Sequence, residues 1–202
     1  MKTHPALALI EFSDIPVGLR ATDAMVKKAP IALLRCGTVT AGRFLTMIGG
    51  TTASVEEALA AALLAGGPAV IEHVLLPDVH PRVVEAVAGR RKPPTSGALA
   101  VVETATVAAT VRAAEAALKG TGVELVELRL ADQGLAGKGV ALYAGALHEI
   151  EAAVALARAA AESGGGHVSI VVISAPHEAV FAALEGGTLF ATAELLDLGG
   201  EG

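Results

Sequence analysis

"ALAVVETAT" at 98–106 decides the fold, because residues 6–14 already read "ALALIEFSD". A shift of 92 residues lays Ala6 on Ala98, Glu11 on Glu103, Arg20 on Arg112 and Lys27 on Lys119. Apolar positions repeat with them. Ile15, Leu19, Thr22 and Val26 fall on Val107, Val111, Ala114 and Leu118, each set at helical spacing on one face. Farther along the shift grows to 95, matching Gly42-Arg43 with Gly137-Lys138 and Gly50 with Gly145. By the end it is 97, matching His80 with His177. Insertions of this kind collect at turns, and the ordered matches mark a duplicated domain.

Each copy reads alike. A strand at Ala6–Glu11 leads to a helix over about 15–29, then a strand at Ile31–Thr38, a glycine-bearing loop and a strand at Arg43–Gly49. A helix follows with Val55, Ala58, Leu59, Ala62 and Leu63 on one face, then a strand at Ala69–Leu76 and a short helix opened by Pro81. This order is β-α-β-β-α-β plus a helix: an α/β (α+β) chain of two tandem ferredoxin-like units. The expected division is 1–89 for the first domain, 90–97 for a linker, 98–187 for the second domain and 188–202 for a tail without a counterpart. The linker stretch "GRRKPPTSG" at 89–97 carries Arg90, Arg91 and Lys92, read as a solvated face.

Composition narrows the class. The 202 residues are 53% hydrophobic but only 2% aromatic, so the core is built from Ala, Val, Leu and Ile. Alanine buries little area, and oligomerisation would add the missing burial. A net charge of −6 argues against a broad nucleic-acid footprint. One cysteine excludes an intrachain disulfide and fits a reducing, cytoplasmic setting. The N-terminal stretch is not read as a signal peptide, and the longest apolar run, 58–71, is too short to span a membrane.

"DAMVKKAP" at 23–30, echoed by "EAALKGTG" at 115–122, "GTVTAGRFLTMIGG" at 37–50 and "APHEAVFAAL" at 175–184 together resemble the shell proteins of bacterial microcompartments in their tandem-domain form. The resemblance covers nearly the whole chain, in non-permuted order. It implies a structural protein: a homotrimer that mimics a hexamer, tiling a shell with other shell proteins, hexamers and pentamers, and passing small metabolites through a central pore. It implies no enzyme activity, no cofactor, and neither nucleic acid nor membrane as partner.

The same resemblance assigns residues. The pore loops would be Thr38, Val39, Thr40, Ala41 and Gly42 followed by Arg43, and Asp132, Gln133, Gly134, Leu135, Ala136 and Gly137 followed by Lys138. Glycines let backbone amides approach an axis, where they replace water around a polar solute. The tile edge would hold Lys27 and Lys119 against His80 and Pro176-His177, although no arginine precedes the histidines in "PDVHP" and "SAPHE". One tandem subfamily carries an iron–sulfur cluster on a pore-loop cysteine; that position here is Thr40. Cys36 matches Leu128 and is read as a small buried core residue. The six histidines, His4, His73, His80, His148, His167 and His177, show no metal spacing, and "ESGGGH" at 162–167 reads as a helix end. Glu11 and Glu103 end equivalent strands, where a carboxylate suits a helix N-terminus. The alternative reading is a soluble ligand-binding regulator on the same scaffold. An enzyme ranks third, since no acid–base constellation is present.

Overall fold

The computed structural model describes residues 5–94 and 96–200; His4, Thr95 and the last two residues of the tail lie outside them. The first half runs β1 (Ala6–Phe12), α1 (Ile15–Lys28), β2 (Leu33–Val39), β3 (Arg43–Gly50), α2 (Thr52–Gly66), β4 (Val70–Leu76) and α3 (Pro81–Val87). The second repeats it as β5 (Ala98–Thr104), α4 (Val107–Gly120), β6 (Glu124–Leu130), β7 (Gly139–Gly145), α5 (Leu147–Glu162), β8 (Val168–Ile173) and α6 (Glu178–Leu184). The sheets are ordered β2-β3-β1-β4 and β6-β7-β5-β8, all antiparallel. Register repeats too: Ala6 pairs with Gly50 as Ala98 pairs with Gly145.

Strand alternation sets the two layers. In β1, Ala6, Ala8, Ile10 and Phe12 face α1 and α2 and pack on Ala21, Met25, Val55 and Ala58. Leu7 and Leu9 face the other way, into a core shared with α3 and with α4 of the second half. The local signals are chemical. Asp14 caps α1, its carboxylate accepting from Val17 N at 2.8 Å, and Pro16 occupies the first turn, where a missing N–H costs nothing. Thr106 caps α4 in the same way.

One contact shows how the copies have diverged while keeping shape. A Cβ on Gly18 would come within 2.6 Å of the Phe44 ring, and one on Gly139 within 2.0 Å of Thr110 Oγ1. Gly18 and Thr110 are equivalent, as are Phe44 and Gly139. The helix is small and the strand large in one copy; in the other the sizes are exchanged, and the close-packed volume is conserved.

Of the three cations between the halves, Arg91 is docked rather than solvated, while Arg90 and Lys92 keep the expected exposure. Arg91 pairs with the Glu127 carboxylate at 2.9 Å and donates to the carbonyls of Leu184 (2.7 Å) and Glu185 (2.8 Å), while Lys92 N donates to Val126 O and its amine pairs with Glu124. A delocalised guanidinium satisfies several acceptors at once, so Arg91 caps α6 and holds the start of the tail. The Arg90 side chain has no partner among the described residues. Beyond Thr188 the tail exposes Phe190, Leu195 and Leu198.

Candidate functional site

Each half joins its second strand to its third through a tight loop: 40–42 between β2 and β3, and 131–138 between β6 and β7. Both loops turn through two successive left-handed residues. These are Ala41 and Gly42 at φ 62° and 68°, and Ala136 and Gly137 at 48° and 86°. An L-residue there costs about 1–2 kcal/mol, so the chain builds one strained turn twice. The second loop is longer, carrying Gln133, Gly134 and Leu135 as extra residues.

The two loops bond to each other. Thr40 donates from its N–H (2.9 Å) and its hydroxyl (2.6 Å) to the Ala131 carbonyl, and Gly137 N donates to Thr40 Oγ1 at 2.9 Å. Arg43 runs behind them, donating to the carbonyls of Gly137 (2.8 Å) and Ala105 (3.2 Å) and to Glu11 Oε2 (3.4 Å). A Cβ on Gly137 would stand 2.7 Å from Arg43 Cζ, so a side chain there would have to displace the guanidinium as well as adopt φ 86°. Glu11 is buried, and its other oxygen accepts from Ala108 N at 2.8 Å, in the first turn of α4. A helix N-terminus does receive this carboxylate, but it belongs to the other half. Burial outweighs that contact and pushes Glu11 up to about 7. The equivalent pair, Glu103 with Lys138 at 2.7 Å, is partly exposed and has no helix over it.

The charges beside the loops have partners. Asp132 accepts from Arg129 at 2.5–3.1 Å, and Arg129 also donates to Gln133 O at 2.6 Å. At the expected tile edge, Lys119 pairs with Glu115 at 2.8 Å and with Asp78, and Glu115 accepts from His80 N at 3.0 Å. The hydrogen bond to Glu115 raises the Lys119 amine above its usual range. Lys119 and His80 therefore meet inside one chain, across the junction of the two halves, rather than across a contact between tiles. Lys27 pairs with Asp23 at 2.6 Å, and among the described residues no bond joins it to Pro176 or His177. His80 and His177 each cap a helix through Nδ1, accepting from Arg82 N and Ala179 N at 3.2 Å. Cys36 is exposed rather than buried: β2 is an edge strand, and the side that Leu128 shares with a neighbouring domain is left uncovered at Cys36.

That difference is general. Val107, Val111 and Leu118 on α4 are 0%, 0% and 8% exposed, covered by the face of the first sheet that carries Leu7, Leu9, Val74 and Leu76. Their equivalents on α1, Ile15, Leu19 and Val26, are 38%, 59% and 44% exposed. On the second sheet Val171 and Ile173 are 53% and 38% exposed, where the equivalent Val74 and Leu76 are 4% and 7%. The chain thus contains one mated junction and the two unmated halves of another.

The chain matches the BMC domain model twice, over residues 6–79 and 98–191. It is 34% identical over 176 residues to the bacterial microcompartment shell protein PduT of Citrobacter freundii, covering 87% of this chain and 95% of that one. A crystal structure of a microcompartment protein from Desulfitobacterium hafniense superposes with a TM-score of 0.75 at 32% identity, covering 87% and 97% of the two chains. A fused permuted hexameric shell protein from the RMM microcompartment shares the fold at a TM-score of 0.59 and 22% identity, covering 80% and 86%. The duplicated sheet order, the twin strained loops and these similarities lead to one conclusion: the chain belongs to the BMC-domain family of bacterial microcompartment shell proteins.

Proposed function

We propose that three copies of this chain close head to tail into a ring of six domains, a pore-bearing tile of the shell. The carrying observation is the pair of unmated faces. The α1 face of one copy repeats the α4 face that is covered inside the chain, and the exposed face of the second sheet repeats the one that covers it. Such a contact is heterologous, and a heterologous contact that closes forms a ring. In the ring Lys27 and Asp23 of one copy meet the Pro176-His177 turn of the next, as Lys119 and Glu115 meet His80 within the chain. Contacts with hexameric and pentameric shell proteins follow from the tiling role.

The paired loops then line the central opening. Thr38 and the backbone amides around Ala41, Gly42, Gly134 and Ala136 present hydrogen-bonding groups, while Thr40 is spent on joining the two loops and Arg43, Asp132 and Lys138 are each held by a counter-ion. Such a wall favours polar solutes over strongly charged ones. The loop does not suit an iron–sulfur cluster. It offers a hydroxyl at Thr40, not a thiolate, and that hydroxyl is engaged on both sides. We read no catalytic role in the site.

Electron microscopy of the purified protein tests the ring: trimers of hexagonal outline are expected, and stable monomers at high concentration refute it. For the pore, Ala41→Leu with Ala136→Leu narrows the opening at positions that already hold side chains. Solute passage through reconstituted shells should fall while the trimer persists.

A further inference from the structure

A cleft of about 340 Å³ lies within the chain, beside the covered junction, between the β2–β3 side of the first sheet, the end of α3 and strand β6. The half-buried Leu45, Met47 and Leu130 line it as an apolar floor over the buried Leu9, and the exposed Arg35 lines its polar side. The Arg35 guanidinium makes one hydrogen bond, to Val87 O at 3.1 Å, and pairs with no carboxylate among the described residues. Asp132, on the opposite wall, is already neutralised by Arg129. The cleft therefore carries one uncompensated positive charge over an apolar floor.

The second copy shows what a structural version of this hollow looks like. Arg35 is replaced there by Glu127 and Gly37 by Arg129. Glu127 is closed by Arg91 at 2.9 Å and by Thr188 N and Oγ1 at 3.1 and 2.9 Å, while Arg129 reaches Thr188 O at 3.2 Å. The hollow is filled by side chains whose charges cancel. In the first copy a Cβ on Gly37 would meet nothing within 4 Å. One duplicate is plugged and compensated; the other is open and cationic.

We propose that the open cleft binds a small organic anion, a carboxylate on a short aliphatic chain. A planar guanidinium engages a carboxylate through two parallel hydrogen bonds, and the floor takes the chain. The volume suits a small ligand. A multiply charged phosphate would find one free cation and an apolar floor, and so is disfavoured. The site is formed by one chain and stands whether or not the ring closes.

Calorimetric titration of the full chain with hexanoate, with hexanamide as its neutral counterpart and inorganic phosphate as the apolar-free anion, tests this. Hexanoate is expected to bind saturably, about tenfold more tightly than hexanamide or phosphate. Arg35→Ala should weaken hexanoate about tenfold. Gly37→Leu, which fills the hollow and keeps the arginine, should abolish binding at an unchanged melting temperature. Absence of saturable binding, equal binding of hexanamide, or unaltered affinity in both variants overturns the proposal. Particle mass measured on the same samples separates this result from the ring. Hexanoate bound by a monomer refutes only the ring, and a trimer blind to hexanoate refutes only the cleft.

Discussion

Leu19→Ala and Val111→Ala truncate equivalent positions, yet they should fail in different ways. Burying a leucine side chain is worth about 1.5–3 kcal/mol, and alanine forfeits roughly two-thirds of that. Since Leu19 is 59% exposed in the single chain, about 1 kcal/mol of the loss falls on assembly at each junction. Three junctions give about 3 kcal/mol per ring, on the order of a hundredfold in the association constant. Val111 is fully buried within the chain. Its truncation costs roughly 2 kcal/mol of folding stability, through lost transfer energy and a residual cavity. Sedimentation velocity over a dilution series reads the first effect, and thermal unfolding of the dilute chain reads the second. The reasoning is refuted if Leu19→Ala leaves the monomer–trimer equilibrium unmoved, or if it lowers the dilute chain's melting temperature as much as Val111→Ala does.

Three further outcomes are expected. The Glu11 carboxyl is raised in the folded chain to about 7 from 4.5. The folded state then holds the extra proton between those values, so its stabilising effect is full below pH 4.5 and lost as pH rises through 7, by up to about 3 kcal/mol. Melting curves at pH 5 and pH 8 should show that fall for the native chain and not for Glu11→Gln. Among the described residues the buried Tyr143 hydroxyl has no partner, so Tyr143→Phe should raise stability by about 1 kcal/mol, read by denaturant unfolding. Inside the chain Thr106 donates to Glu72; the equivalent positions at the open ends hold Asp14 and Ser169, acceptor and donor exchanged. Ser169→Glu should set two carboxylates against each other and weaken the trimer, and Asp14→Thr added to it should restore the trimer in mass photometry.

The repeat, the element order and the two loops were legible because each rests on local pattern. Period-two and helical spacing mark β1 and α1, and the glycines at 42 and 137 mark the turns. What distance in sequence hid was partnership. Ile15, Leu19 and Val26 read the same as Val107, Val111 and Leu118, and only packing shows one set covered and the other bare. Arg91 reads as a charged linker residue because its acceptors, Glu127 and the end of α6, come later in the chain. Cys36 reads as a core residue because its counterpart Leu128 is apolar; no pattern within β2 says that a single chain leaves that side open. Glu11 was placed correctly against a helix N-terminus, but the sequence offered only the adjacent helix, and the true one lies 97 residues away.

The junction already formed inside the chain changes the equilibrium for making a tile. At equilibrium a ring of six separate domains scales with the sixth power of the free domain concentration, whereas a ring of three prepaired chains scales only with the third. Tethering holds half of the contacts at a high effective concentration that dilution does not lower. Tiles of this chain should therefore persist at protein levels where an otherwise equal six-part ring has come apart.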